Sequence, residues 1–274
     1  MKIKLAYSTC PNDTFMFDAL VHKRINTGNF QFDVNLADIE ELNKQASEQI
    51  NDVTKISFNA FASLTSHFQL LSSGSAMGFG NGPLIISKHK IYPDELHDVS
   101  IAIPGEQTTA NLLLSILFPD IRNKKVYLFS DIEEVVLAGE TDAGLIIHET
   151  RFSYHKKGLF KVADLGEMWE EKVKKPLPLG GIAIRRSLPG EIKLQIQKMI
   201  QESVEFAIRK PAASLDYVKK YARELDDRVI RQHIDLYVNE YSIHCRKEGR
   251  EAIAYLVTEA AKIKNLKPEN KLFI

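Results

Sequence analysis

The sequence Gly78-Phe79-Gly80-Asn81-Gly82-Pro83 runs directly into the apolar residues 84–87, and Pro178-Leu179-Gly180-Gly181 runs in the same way into residues 182–185. Between these two glycine-rich stretches the chain has its own series of apolar runs and helical patterns. We therefore expect the chain to leave one lobe, build a second, and return, because paired crossovers of this kind form a hinge. Lobe one would comprise residues 1–86 and 182–274, and lobe two residues 87–181, with a ligand cleft between them. A single continuous sheet with glycines in its loops is the alternative.

Short apolar runs alternate with helical patterns up to about residue 186, which predicts βαβ units and a mixed, mostly parallel sheet flanked by helices in each lobe. The predicted strands are 3–7, 32–37, 52–56, 84–87, 100–103, 125–129, 143–147 and 182–185. The predicted helices between them are 15–23, 39–47, 59–67, 110–117 and 132–138. The rest of the chain is predicted to be a helical tail, because its apolar residues recur at helical spacing.

The composition excludes several classes of function. The chain has 274 residues, with 36 Lys and Arg against 36 Asp and Glu. Its net charge of zero gives no electrostatic basis for binding nucleic acid or an anionic membrane. The two cysteines are too few for a disulfide framework, and no Cys or His spacing is typical of a zinc site, so we expect no metal. No apolar run has the length of a signal peptide or a membrane span, and we expect a cytoplasmic protein.

Three segments share a strand–polar loop–helix pattern, and each is a candidate ligand site. The loops are 8–14, 54–57 and 104–109. In open α/β sheets the carboxyl ends of the strands line the ligand crevice, and helix amino ends suit a carboxylate or phosphate. Ser8, Asn12, Ser57, Thr108 and Thr109 are the polar candidates. The same residue types are also ordinary helix N-caps, so each loop alone would fit a purely structural role.

Lys55 and Cys10 have two interpretations each. Lys55 follows an apolar strand and could pair with an anionic ligand, although the sequence alone favours a solvated lysine. Cys10 precedes a helix amino end, where a thiolate is stabilised. However, no base is evident near Cys10 in the sequence, which favours a packed thiol.

His148 is the residue best suited to catalysis. It ends the apolar run 143–147 in the second lobe, where a strand's carboxyl end would face a ligand. Histidine has an ordinary pKa of about 6.5, which suits a general base near neutral pH. A histidine that caps a helix or bonds a backbone carbonyl is the alternative.

These segments together resemble the 1,4-dihydroxy-6-naphthoate synthase family of the futalosine route to menaquinone. The resemblance covers residues 5–186 and rests on the segments Ser8-Thr9-Cys10-Pro11-Asn12-Asp13-Thr14-Phe15, Asp52-Val53-Thr54-Lys55-Ile56-Ser57, the 105–111 loop, Ile147-His148-Glu149 and Leu177-Pro178-Leu179-Gly180-Gly181 with Arg185-Arg186. It implies a two-lobed α/β fold like that of type II periplasmic binding proteins, used as an enzyme.

The resemblance also implies a reaction and roles for single residues. The activity would be a carbon–carbon lyase that converts cyclic dehypoxanthinylfutalosine, a small carboxylate, to 1,4-dihydroxy-6-naphthoate without a cofactor. His148 would be the proton acceptor, and Lys55-Ile56-Ser57 and Thr108-Thr109 would bind substrate; we add Ser8 and Asn12 of the first loop.

Two other functions fit the same scaffold. A chorismate dehydratase of the same pathway would share the fold, and so would a small-molecule binding protein without activity. The missing signal peptide argues against the binding protein, and the segments around Cys10 and His148 favour the synthase. The oligomeric state cannot be predicted from the sequence, and a homodimer stays open.

Overall fold

The computed structural model describes residues 1–222 and 226–274 and divides them into two compact units. One unit comprises Met1–Gly78 and Pro178–Ile274, and the other Phe79–Leu177. The sequence-based division placed residues 79–86 in the first lobe. Strand 84–87 instead pairs with two strands of the second unit, so the crossover comes before the apolar run rather than after it.

The first unit is built on a mixed sheet. Its strands, numbered along the chain through both units, are β1 (Lys2–Tyr7), β2 (Gln31–Leu36), β3 (Val53–Ser57), β4 (Phe68–Leu70), β5 (Ala76–Gly78) and β11 (Leu177–Arg185). The order is β2-β1-β3-β11-β4, with β5 also paired to β11. The pairs β1–β2 and β1–β3 are parallel, whereas β11 runs antiparallel to both β3 and β4.

The helices of this unit are α1 (Pro11–Val21), α2 (Ile39–Ser47), α3 (Phe58–Leu64), α7 (Gly190–Arg209), α8 (Leu215–Tyr221), α9 (Asp227–Tyr237), α10 (Glu240–Ile243) and α11 (Arg246–Ile263). The main apolar core joins one face of the sheet to α1 and α7. Leu5, Phe17, Ile184 and Ile200 are buried there. The helical tail that the apolar spacing predicts contributes to this core, since Ile196, Met199 and Ala207 of α7 are also buried in it.

The second unit has its own mixed sheet, in the order β10-β6-β9-β7-β8. Its strands are β6 (Leu84–Ser87), β7 (Ile101–Ile103), β8 (Lys124–Val126), β9 (Ala143–Ile146) and β10 (Phe160–Asp164), and its helices are α4 (Thr109–Leu117), α5 (Ile132–Ala138) and α6 (Leu165–Val173). The strands β7, β8 and β9 are parallel neighbours, whereas β6 is antiparallel to β9 and β10. Each sheet thus holds more antiparallel pairing than the βα alternation predicts. In the first sheet the antiparallel strand is β11, and in the second it is β6.

A close backbone approach joins β6 to α6 in the second unit. Gly82 and Gly166 lie so near each other that a Cβ on Gly82 would be 2.3 Å from the Cα and N of Gly166. Only glycine fits at such a contact. The side chain of Trp169, which is 1% exposed, lies one helical turn further along α6 and donates its indole N–H to the carbonyl of Lys175 at 3.1 Å.

We expect Gly82→Ala to destabilise the second unit by about 3 kcal/mol, because backbone atoms on both sides must move to admit a methyl group. Thermal unfolding followed by Trp169 fluorescence would measure this, since Trp169 is the chain's single tryptophan. Gly190→Ala is the control, because a Cβ there meets no atom within 4 Å, and its effect should stay within about 1 kcal/mol. Equal melting curves for wild type and Gly82→Ala would contradict the importance of the contact.

Candidate functional site

The first unit holds a buried ion pair where two parallel strands end. Ala6 of β1 lies opposite Thr54 of β3, so the residues that follow them share one edge of the sheet. There the ammonium of Lys55 is 2.8 Å from Oδ1 of Asp13, and the two side chains are 6% and 0% exposed. The alternative of a solvated Lys55 is therefore wrong, because a buried lysine needs a counter-charge and Asp13 supplies it.

The carboxylate of Asp13 collects donors from the loop between β1 and α1. Oδ2 accepts the backbone N–H of Ser8 at 3.2 Å and the Ser8 hydroxyl at 2.7 Å. Oδ1 accepts the side-chain amide of Asn12 at 2.8 Å in addition to Lys55. The structure thus brings together three sequence-predicted site residues, and it shows that Ser8 and Asn12 direct donors at Asp13.

Ser57 and Ile56 have different surroundings. The Ser57 N–H donates to Oδ1 of Asn43 at 3.0 Å, and Nδ2 of Asn43 donates to the Ser57 hydroxyl at 3.0 Å. The hydroxyl is thus held against α2 at the start of α3. Ile56 is fully buried, and strand alternation turns its side chain to the face opposite Lys55. A ligand contact from Ile56 would therefore involve its backbone rather than its side chain.

Gly180 of β11 leaves room for the Lys55 side chain. Gly180 pairs with Ser57 across the antiparallel strands. A Cβ at Gly180 would lie 3.0 Å from the carbonyl oxygen of Ile56 and 3.4 Å from Cε of Lys55. Gly180 therefore has a steric purpose at the β3–β11 contact.

Tyr7, which precedes the 8–14 loop, is a neutral neighbour of this cluster. Its hydroxyl lies 2.6 Å from that of Tyr217, and the side chain is fully buried. Burial, followed by the nearby Tyr217, raises the pKa of Tyr7 well above its ordinary value. The Tyr7 phenol therefore keeps its proton at neutral pH and adds no charge beside Asp13.

In the second unit, the other predicted residues lie at one edge of the sheet. Ala102 of β7 lies opposite Gly144 of β9 in a parallel pair, so the loop after β7 and the residues after β9 are neighbours. That loop leads to Thr108, the N-cap of α4, whose hydroxyl donates to the carbonyl of Gly105 at 2.8 Å and accepts the Asn111 N–H at 3.2 Å. Thr109 begins α4 and is buried.

His148 follows β9 in a left-handed backbone conformation, with φ of 62°. It begins a short 3-10 helix, His148–Phe152, and its side chain is half-buried. The imidazole meets the ring of Phe129 edge-on, with centroids 4.9 Å apart. Histidine tolerates left-handed backbone better than most residues other than glycine, and five other non-glycine residues of the described chain adopt it, so this conformation orients the imidazole without by itself indicating a function.

Two side chains anchor the 3-10 helix that His148 begins. The hydroxyl of Thr150 donates to the carbonyl of Ile147 at 2.7 Å. The guanidinium of Arg151 donates to the carbonyl of Gly82 at 2.8 Å and to Asp164 at 3.3 Å. Asp164 is itself the N-cap of α6. The backbone around His148 is therefore tied to both β6 and α6.

Sequence reasoning missed four residues of these clusters: Asp13, Phe129, Arg151 and His233. A lysine within the run Val53-Thr54-Lys55-Ile56 could have prompted a search for a buried acid, but several acids stood at comparable positions. The contact between Phe129 and His148 joins the residues that follow β8 and β9. The sequence does not show which strands are neighbours, so it cannot predict this contact. His233 lies on α9, far along the chain from Asn12, whose Oδ1 is 2.9 Å from Nε2 of His233.

The described residues hold neither a metal-binding cluster nor a membrane-spanning helix. Within residues 1–222 and 226–274, no group of three or more His, Cys, Asp or Glu side chains is arranged to hold a metal ion. Every helix in that part of the chain falls short of the length and hydropathy needed to cross a membrane. Cys10 is buried at the start of α1 and forms no disulfide. The absence of a cofactor stays a prediction.

Comparison with known proteins gives the family. Residues 3–262 match the family model described as menaquinone biosynthesis. A 1,4-dihydroxy-6-naphthoate synthase of Thermus thermophilus is 40% identical over 258 residues, which cover 94% of this chain and 93% of the relative. A crystal structure of an Archaeoglobus fulgidus protein is 37% identical, with a TM-score of 0.90 over 96% of this chain and 98% of that one.

A more distant likeness shows the fold class. The alkanesulfonate-binding protein SsuA of Xanthomonas axonopodis pv. citri, solved with bound MOPS, has a TM-score of 0.72 at 14% identity, over 99% of this chain and 96% of that one. The α/β fold is thus of the periplasmic-binding-protein type, as the resemblance implied. The chain belongs to the menaquinone biosynthesis family whose relatives are named 1,4-dihydroxy-6-naphthoate synthases.

The buried pair in the first unit should be strongly coupled. We expect Asp13→Asn to destabilise the protein by about 3–5 kcal/mol, because it leaves the Lys55 ammonium buried without a counter-charge. Lys55→Met should cost less, since Ser8 and Asn12 still donate to the carboxylate. In a double-mutant cycle from urea unfolding followed by circular dichroism, the coupling should be about 2 kcal/mol.

The exposed pair of Lys2 and Asp33 is the control for that cycle. Its atoms are 3.0 Å apart, yet the side chains are 69% and 52% exposed. The cycle with Lys2→Met and Asp33→Asn should give a coupling of less than about 1 kcal/mol. Equal couplings for the two pairs would show that burial does not strengthen the Lys55–Asp13 interaction.

Proposed function

We propose that this protein is a carbon–carbon lyase that converts cyclic dehypoxanthinylfutalosine to 1,4-dihydroxy-6-naphthoate, with His148 as the general base. The observation that carries the proposal is the placement of His148. It lies at the carboxyl end of β9, in strained backbone against Phe129, beside the loop that leads to Thr108 and Thr109. The relatives' names support the product, and the substrate is our inference.

His148 would begin the reaction by taking a proton from the sugar-derived ring of the substrate. Imidazole suits this step because its proton affinity is matched to neutral pH. The electron pair freed by this proton removal would then drive the breaking of carbon–carbon and carbon–oxygen bonds, so that a small sugar-derived fragment leaves. The second ring becomes aromatic, which supplies the driving force. The edge-on contact with Phe129 and the anchored 3-10 helix limit the orientations of the imidazole, so the base is held in place before substrate arrives.

The substrate carboxylate would bind at the amino end of α4. Helix amino ends favour anions through their N–H groups and the helix dipole, and Thr108 and Thr109 are the residues there. In the first unit, Lys55 would donate to the substrate, with Ser57 and the backbone of Ile56 beside it. Ser8 and Asn12 would then act mainly through Asp13. A ligand cleft between the two lobes stays a prediction.

We expect His148→Asn to lower kcat by at least about 100-fold, because a positioned general base is worth roughly 10²–10⁴ in rate. Asparagine is the suitable replacement, since it tolerates left-handed backbone better than most residues. The assay is turnover of cyclic dehypoxanthinylfutalosine, with the naphthoate product followed by chromatography. His155→Asn is the matched control, because His155 is an exposed histidine of the same unit and should keep wild-type kcat.

The outcomes distinguish the alternatives. If the wild type makes no naphthoate, the synthase function is wrong, and dehydration of chorismate and simple ligand binding are assayed next. If His148→Asn and His155→Asn both match the wild type, the reaction is right but the base lies elsewhere. A binding protein without activity would retain ligand affinity in His148→Asn and show no turnover in any variant.

A further inference from the structure

A buried row of hydrogen bonds leads from α9 to the ammonium of Lys55. Nε2 of His233 is 2.9 Å from Oδ1 of Asn12, and Nδ2 of Asn12 is 2.8 Å from Oδ1 of Asp13. The same oxygen of Asp13 is 2.8 Å from Nζ of Lys55. His233 is fully buried and Asn12 is 5% exposed, so the row is shielded from water.

The donors and acceptors in this row can be assigned from one end. The carboxylate of Asp13 only accepts, so the amide of Asn12 must present its NH₂ to Asp13 and its carbonyl oxygen to His233. An amide oxygen also only accepts, which requires His233 to carry a proton on Nε2. His233 therefore donates to Asn12, and Asn12 donates to Asp13. The same assignment places a proton on Nε2 of His233.

The histidine is itself firmly placed. It lies in the middle of α9, which packs against α1, and its ring lies against that of Tyr237 with centroids 4.5 Å apart. Asn12 and Asp13 are the second and third residues of α1. A side chain on one helix thereby orients the first turn of another, where the partner of Lys55 lies.

We propose that His233 is a positioning residue for Lys55, acting through Asn12 and Asp13; this rests on the proposed function, in which Lys55 donates to the substrate. The ammonium of Lys55 has three N–H donors. Within the described residues it donates one hydrogen bond, to Asp13, which leaves two N–H groups for a ligand. Where those two N–H groups point depends on where Asp13 holds the nitrogen. His233 never touches substrate; it keeps the amide of Asn12 from rotating and so fixes Asp13.

The test compares His233→Leu, which removes the donor, with His233→Gln, whose amide NH₂ can replace Nε2–H. We expect His233→Leu to raise KM for cyclic dehypoxanthinylfutalosine about tenfold with a smaller change in kcat, and His233→Gln to stay within about twofold of wild type. In a Lys55→Met background, His233→Leu should change KM no further. If the role of His233 is purely structural, His233→Leu would lower the melting temperature, and its effect on KM would be the same whether or not Lys55 is present.

His22→Leu is the matched control, because His22 also bonds an aspartate in this unit, with Nδ1 2.8 Å from Oδ1 of Asp18. Its KM should match the wild type. Equal effects of His233→Leu on KM with and without Lys55 would overturn the proposal, and so would a wild-type KM in His233→Leu itself.

A crystal structure of ligand-free His233→Leu separates this inference from the proposed function, because it needs no substrate. We expect Lys55 and Asp13 to stay paired in this variant but Lys55 Nζ to lie about 0.5 Å or more from its wild-type position, because the amide of Asn12 is no longer fixed, and we expect His233→Gln to restore the position. Wild-type positions of Asn12, Asp13 and Lys55 Nζ in His233→Leu would overturn the positioning role. Absence of turnover by the wild type would count against the proposed function alone.

Discussion

The first unit depends on the need to neutralise a lysine placed on a central strand. Lys55 is in β3, which has strands on both sides, and its side chain is only 6% exposed. Burying an unpaired ammonium would cost several kcal/mol, so the loop after β1 must bring Asp13 to it. That requirement explains why the 8–13 loop has its observed conformation: Ser8 and Asn12 complete the coordination of a carboxylate that is already committed to Lys55.

The second unit has a different constraint, since its candidate base, His148, is placed by an imposed backbone conformation rather than by a counter-charge. His148 adopts a left-handed conformation that costs a side-chain-bearing residue of order 1–3 kcal/mol. Such a conformation persists only where the surroundings impose it. Here Arg151 ties the following turn to Gly82 and Asp164, and the contact of Gly82 with Gly166 holds β6 against α6. The position of the imidazole thus follows from packing some distance away from it.

The elements that the sequence predicts well are those with strong local patterns. Helix 39–47 was predicted with its observed bounds, and β1, β2 and α4 were predicted within one residue, since an N-cap or an apolar run marks their ends. The short strands β4 and β5 were not predicted, because three residues show no periodicity. Strand β10 was missed because it begins with exposed residues. For the candidate site, the sequence indicates which loops carry polar groups, whereas the partners of Lys55 and His148 come from other elements and depend on tertiary packing.

A common principle connects the two clusters. In each unit, the side chain proposed to act on the substrate is oriented by bonds and contacts that exist without any ligand: Asp13, Asn12 and His233 for Lys55, and Phe129 with the Arg151 anchor for His148. Preorganisation of this kind moves the cost of ordering from the reaction to folding. A solute-binding protein of the same fold needs only complementary contacts. An enzyme also needs a base and a donor at set positions. The buried row of hydrogen bonds that ends at Lys55 and the imposed backbone conformation of His148 fit that requirement.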